Sequence, residues 1–303
     1  ISSSWMQEVK QHGGFNTTDN YNDIEWTKRI GRMPIPEREY NPYVEAFWKW
    51  WPDLYPALHT FRVTGGEPLM NKNTFKMMDW ILENENPNKN LLLGINSNFC
   101  VEDKLFDKFM TKAKRLLDSG KVRKLEVYTS AEAKGNKAEY IRTGLNYDKF
   151  LSNVNRITKE FKYDKRFVVT FMCTYNALSV TSFKDYLEDI VEVRNKNGIN
   201  SIYIDIPYLR YPEMMDIKIL DKTFEPYLND TITYMEQAEK NSLMQESETA
   251  KLKRILEYWR SVRDNDQTSH KQNFKVYAKE LDSRRNTDFL KVFPEYSSWY
   301  NAI

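Results

Sequence analysis

Cysteine is scarce in this sequence. The 303 residues contain two, Cys100 and Cys173, far apart in the chain. That excludes a disulfide framework and points to a reducing, cytoplasmic compartment. Three histidines (His12, His59, His270) are scattered singly, so no Cys/His spacing suited to a zinc site exists. Glycine and proline are few, at 10 and 11, which argues against collagen-like or low-complexity chains. Charge of one sign is also missing: 45 Lys and Arg face 43 Asp and Glu, for a net charge of +2. Neither a nucleic-acid-coating protein nor a basic membrane-surface protein is expected from that balance. No apolar run approaches the ~18 residues of a membrane span. Aromatic residues, by contrast, are plentiful, with 8 Trp, 19 Tyr and 16 Phe, enough for a substantial folded core.

Strand-like apolar runs alternate with amphipathic helical runs. His59–Thr64, Leu91–Asn96, Val122–Thr129, Phe167–Thr174 and Ile202–Ile206 read as strands. Between them lie helical stripes: Phe75, Met78 and Leu82; then Leu105 through Leu117, stopped at Gly120; then Phe150, Val154, Ile157 and Phe161; then Phe183, Leu187, Ile190 and Val191, closed at Gly198. Strand–helix–strand units with long crossovers imply a parallel sheet with right-handed connections. Such a series belongs either to an open doubly wound sheet or to part of a (β/α) barrel. Ahead of it, Ser2–Ser4 with Trp5, Met6 and Val9 reads as a capped helix start. A polar stretch from Gly13 to Arg38 follows, then an aromatic helix around Phe47, Trp48, Trp50 and Trp51. After Leu209 the pattern is helical, with Glu236–Lys253 expected to form a solvated helix pair.

The most informative string is Thr64-Gly65-Gly66-Glu67-Pro68-Leu69, which leaves a strand and enters a helix. Ligands of parallel sheets bind at that end. Paired glycines bring backbone groups close to a ligand, Glu67 can face an ammonium group, and Pro68 stiffens the exit. A bare Gly-Gly would be no more than a tight turn. The string is neither a P-loop nor the Gly-x-Gly-x-x-Gly dinucleotide fingerprint.

It resembles the Gly-Gly-Glu-Pro motif of radical S-adenosylmethionine enzymes, which follows the second barrel strand and holds the methionine amino group. Ala138-Glu139-Tyr140-Ile141-Arg142-Thr143-Gly144-Leu145 resembles a segment of the subgroup with a shortened auxiliary-cluster ("twitch") region, and Asp282–Leu290 resembles that subgroup's C-terminal segment. The resemblance implies a partial (β/α)6 TIM-like barrel in which strands two to six are present and strand one is missing, followed by a helical C-terminal extension. The division would fall between residues 1–215 and 216–303. The implied S-adenosylmethionine contacts are Gly65, Gly66, Glu67 and Pro68, with Asn96 and Asn98 after the next strand and Ser130 after the third. Arg142 would suit the methionine carboxylate, Asn176 follows the fifth family strand, and Tyr208 and Leu209 fall near the adenine. Read singly, Asn96 and Asn98 could shape a turn, Ser130 could cap a helix, and Arg142 could form an ordinary ion pair.

Radical S-adenosylmethionine chemistry needs a [4Fe–4S] cluster on three cysteines, usually Cys-x-x-x-Cys-x-x-Cys after the first strand. Cys100 and Cys173 cannot supply that triad, and Ser2-Ser3-Ser4-Trp5 resembles the residues that follow its third cysteine. The expectation is therefore that the cluster ligands lie upstream of Ile1, and that the edge of the strand around Phe61–Thr64 is left unpaired. A chain with that exposed edge would be marginally soluble or would pair through it. The complete protein would generate a 5′-deoxyadenosyl radical, take electrons from a donor, and abstract hydrogen from a small-molecule or peptide substrate. The alternatives are a cluster-free barrel relative that binds S-adenosylmethionine or another small ligand, and a non-catalytic interaction scaffold.

Overall fold

The computed structural model describes residues 3–19, 21–33, 40–199 and 201–303, with five strands in one parallel sheet. The strands are β1 (Thr60–Val63), β2 (Leu92–Asn96), β3 (Lys124–Thr129), β4 (Phe167–Met172) and β5 (Ile202–Asp205). Three helices precede β1: α1 (Ser3–His12), α2 (Ile24–Arg29) and α3 (Pro42–Leu54). The crossovers carry α4 (Lys72–Glu83), α5 (Asp103–Asp118), the pair α6 (Gly135–Ile141) and α7 (Tyr147–Glu160), and α8 (Phe183–Asn197). After β5 come α9 (Glu225–Lys240), α10 (Glu246–Val262), α11 (Thr268–Arg285), α12 (Phe289–Val292) and α13 (Ser297–Asn301). Every expected strand is present, trimmed by one or two residues. The polar stretch holds the short α2, started by Asp23, whose side chain accepts from Trp26 N. The capping serine expected within Ser2–Ser4, and the part of the polar stretch at residues 34–39, fall on residues or side chains outside those described.

Strand order in space follows strand order in sequence, β1-β2-β3-β4-β5. A doubly wound sheet reverses direction at a switch point. No reversal occurs here, so the doubly wound alternative does not apply. Among the described residues β1 and β5 do not pair with each other, so the sheet is open.

The register sorts the strand residues onto two faces. Phe61, Leu93, Leu125 and Phe167 lie in one row, and Val63, Ile95, Val127, Val169 and Ile202 in the next. Helices cover this apolar face. Trp51 of α3 sits 4.8 Å from the Phe61 ring, the Phe161 and Phe167 rings stack at 4.1 Å, and Phe150 and Tyr186 of α7 and α8 pack on Phe171. α5 shows the usual reason such helices dock: Phe106, Phe109, Ala113, Leu116 and Leu117 share one stripe and are all buried. The opposite face carries Arg62, Gly94 and Glu126 in one row and Asn96, Tyr128, Thr170 and Tyr203 in another.

The two edges of the sheet differ. Alternate residues of a parallel strand bond to one neighbour. Ser201 O accepts from Val169 N and Asp205 O from Cys173 N, so Ile202 and Ile204 turn their backbone groups outward from β4. Those groups are met: Ile204 N donates to Glu248 Oε1 at 2.8 Å, and Arg194 Nη2 donates to Ile202 O at 2.9 Å. Arg194 and Glu248 also pair with each other at 2.6 Å, both fully buried. Glu248 therefore corrects the expectation of a wholly solvated stretch, since it lies on α10 but faces inward. At β1, His59 O accepts from Leu92 N, which turns the Thr60 and Arg62 backbone groups away from β2. They bond to no protein group among the described residues.

The C-terminal helices pack back on the rest. Tyr296 donates to Ala177 O at 2.5 Å, and Trp299 Nε1 to Ile219 O at 3.2 Å. Arg284 stacks on Phe15 at 3.9 Å and Arg285 pairs with Glu8 at 3.0 Å, which ties α11 to the N-terminal segment.

Candidate functional site

The Gly-Gly-Glu-Pro string occupies the end of β1. Gly65 and Gly66 both adopt left-handed backbone, with φ of 87° and 52°. A Cβ at either would meet nothing within 4 Å, so conformation and not crowding calls for glycine there. Pro68 opens a short 3₁₀ turn of Pro68–Met70, and Glu67 caps it, its Oε1 accepting from Leu69 N at 3.0 Å. Glu67 Oε2 reaches across to the end of β2 and accepts from Asn98 N at 2.7 Å. One carboxylate thus fastens two successive strand-end loops. Asn98 in turn accepts from Cys100 N at 2.8 Å, and Phe99 between them is left-handed with φ of 56°.

Asn96 lies on the polar face, and its Oδ1 is buried with no hydrogen-bond partner among the described residues. Ser130 sits half-buried just past β3, and its hydroxyl makes no hydrogen bond among the described residues. Arg142 is engaged: its Nε donates to Glu132 Oε2 at 2.6 Å and its Nη2 donates to Glu132 Oε1. Glu132 also accepts from Thr174 N at 3.2 Å, joining the ends of β3, α6 and β4. Asn176 shapes the turn after β4, with Oδ1 accepting from Leu178 N at 2.9 Å and Nδ2 donating to Thr174 O at 3.0 Å. Leu209 N donates to Tyr175 O at 2.7 Å, while the Tyr208 ring lies 4.9 Å from that of Tyr258. The structure therefore brings Gly65, Gly66, Glu67 and Asn98 together directly. Arg142 is tied to Glu132, and Asn176, Tyr208 and Leu209 belong to the β4–β5 end.

A second group was not anticipated. Arg62 crosses β2 and lays its guanidinium 3.7 Å over the Tyr128 ring on β3. Gly94 makes this possible, because a Cβ there would meet Arg62 Cγ at 2.9 Å. The Tyr128 hydroxyl donates to Glu126, which also accepts from Lys124 Nζ at 2.6 Å. Burial raises the Glu126 carboxyl pKa, but the hydrogen bonds from Lys124 and Tyr128 outweigh it and leave the group below its ordinary value. The Tyr128 phenol is pushed up, first by burial and then by its bond to Glu126. The sequence signal was the alternation in Lys124-Leu125-Glu126-Val127-Tyr128 and in Ile202-Tyr203-Ile204-Asp205. Strands of a sheet covered on both sides read as continuous apolar runs, so alternation marks a face without helices.

No set of three or more His, Cys, Asp or Glu among the described residues could hold a metal ion. The two thiols do not fit an iron–sulfur cluster. Cys173 is buried, and burial followed by the Glu132 charge pushes its pKa well up. Burial likewise raises Cys100, whose Sγ donates to Asn146 O at 3.4 Å. The two lie after different strands, β2 and β4, and are one short of the three thiolates a cluster needs. The β1 end fits an ammonium-bearing ligand better, since a carboxylate has about four acceptor positions and Glu67 uses two on backbone amides. No family model, curated protein or solved structure matches the chain.

Proposed function

We propose that this chain is the strand-two-to-six part of a radical S-adenosylmethionine barrel and binds S-adenosylmethionine at the C-terminal ends of β1 and β2. The observation that carries the reading is the Gly65–Pro68 loop: two left-handed glycines, then a glutamate that bridges to the next strand end. The sequential order of the five parallel strands supports it, because a barrel winds in one direction. In this reading the left-handed glycines let main-chain groups approach the ligand, the remaining acceptor positions of Glu67 face its ammonium group, and Asn96 Oδ1 gains a partner. The bound cluster of such an enzyme supplies the electron that cleaves S-adenosylmethionine. The thiols of this chain do not hold it, so the reading requires three cysteines from outside these 303 residues. The second reading, a cluster-free binder of a small ligand, rests on the two cysteines of this chain lying after different strands, β2 and β4, too few for a three-thiolate site.

Titration calorimetry with S-adenosylmethionine tests the proposal. Saturable binding is expected, weakened at least about tenfold by Glu67→Gln, which removes the charge facing the ammonium group. The absence of binding, or binding indifferent to Glu67→Gln, would overturn it. Iron incorporation and release of 5′-deoxyadenosine by a chain joined to its cluster segment separate the first reading from the second.

A further inference from the structure

The polar face of the sheet forms a cleft of about 410 Å³, walled by Arg62, Tyr128, Thr170 and Met172 on one side and by Gln245, Ser247 and Lys251 on the other. Its lining carries two cations, Arg62 and Lys251, and two acids, Asp205 and Glu248, and the ion pairs single out one of the four. Of the two lining acids, Asp205 is paired with Lys251 at 2.6 Å, and Glu248 is held by the buried Arg194. Glu126, in the Arg62 row of the sheet, is bonded to Lys124 and Tyr128. Among the described residues Arg62 forms no ion pair, and it acts on Glu126 only through space, helping to lower that carboxyl. Its ring contact is the Tyr128 face.

The fork is also prepared. Stacking on Tyr128 occupies one flat side of the guanidinium and leaves its N–H edge for in-plane acceptors. Tyr128 is itself anchored through its hydroxyl to Glu126, and Gly94 keeps the path across β2 clear. An arginine fixed in this way loses little rotamer freedom on binding. Gln245 and Ser247 also line the cleft, at the start of α10, whose first turn is closed by a capping box between Gln245 and Glu248. Met172 contributes apolar wall.

We propose that this cleft is a binding site for an oxyanion-bearing small molecule, a carboxylate or a phosphate, with Arg62 as the anchor. The inference rests on the sheet face alone and goes beyond the strand-end ligand. The fork geometry accepts two oxygens of either group.

The test uses the full chain carrying ¹⁵N-labelled arginine, titrated with succinate and, separately, with inorganic phosphate, in the absence of S-adenosylmethionine. The Arg62 Nε–H signal, assigned by its loss in Arg62→Lys, should shift saturably in the millimolar range. A shift with succinate alone identifies a carboxylate site, with phosphate alone a phosphate site, and with both a general oxyanion site. Arg62→Gln should weaken binding of the effective anion by calorimetry at least about tenfold. Gly94→Ala, which drives Arg62 off the ring, should weaken it while leaving the circular dichroism spectrum unchanged. No Arg62 response to either anion at tens of millimolar, or equal calorimetric binding by Arg62→Gln, would overturn the proposal. Because neither probe carries an ammonium group or an adenine, this result and the S-adenosylmethionine result stand or fall separately.

Discussion

At β5 the outward backbone groups of Ile202 and Ile204 end on the Arg194 guanidinium and the Glu248 carboxylate, whereas at β1 those of Thr60 and Arg62 meet no protein group among the described residues. The apolar side of both strands is covered, by Trp51 at Phe61 and by buried core at Ile202 and Ile204. The difference therefore lies in main-chain pairing and not in hydrophobic burial. A fully buried ion pair is a costly way to gain stability, since desolvation offsets most of the attraction. Here the pair also satisfies two strand-edge groups that α10 would otherwise bury unpaired. One edge is finished by the chain's own side chains, and the other remains able to accept a further strand.

The strongest way to break this contrast is to remove half of the pair. Arg194→Met should lower unfolding free energy by about 3–5 kcal/mol, because Glu248 is left charged and buried without its partner. Urea denaturation reads this directly, and a loss under ~1 kcal/mol would mean the pair does not seal the edge. Glu67→Ala comes next. It removes two charge-assisted bonds at the open side of the sheet, at a cost of about 1–3 kcal/mol, and should speed hydrogen exchange at Leu69 and Asn98 together. Exchange that quickens at one amide alone would show that the two loops are not joined.

Glu126→Gln sharpens the comparison on the polar face, with an expected loss of no more than ~1 kcal/mol at neutral pH for a partly exposed pair. The folded-state pKa of Glu126 is depressed, so its contribution is present above the ordinary glutamate pKa of ~4.3 and is lost as pH falls through the lower folded value. The stability difference between wild type and Glu126→Gln should therefore shrink in that acid window. A difference that persists there would argue against the ionic part of the interaction. The smallest effect is expected from Thr60→Pro, whose lost N–H faces no acceptor: within about 1 kcal/mol of wild type by urea denaturation. Sedimentation at rising concentration should then show less self-association than wild type, if that edge is where copies meet.

Much of the architecture was legible because each strand is a short apolar run bounded by polar turns, and each helix carries a stripe at 3.6-residue spacing. What escaped was long-range. Glu248 stands in a charge-rich stretch where the local pattern marks it at most as the third residue of a helix start; its burial is fixed by Arg194 on α8. Arg62, Gly94 and Tyr128 come from three strands and become neighbours only once the register is set. The strand-end string, by contrast, is contiguous, so Gly65, Gly66 and Glu67 could be singled out beforehand. Arg142 shows the limit of reading contiguous strings, because its pairing with Glu132 depends on how the chain returns after β3.

Glu67 has a mechanical side as well. A carboxylate braced by Leu69 N in its own loop and bonded to Asn98 N in the next acts as a rivet, so the two loops cannot part without breaking the bond to Asn98. Whatever settles on the glycines meets a floor that moves as one piece. Behind that bond the Asn98 side chain holds Cys100 N, so a line of hydrogen bonds runs from the end of β1 across the end of β2 and past the left-handed Phe99.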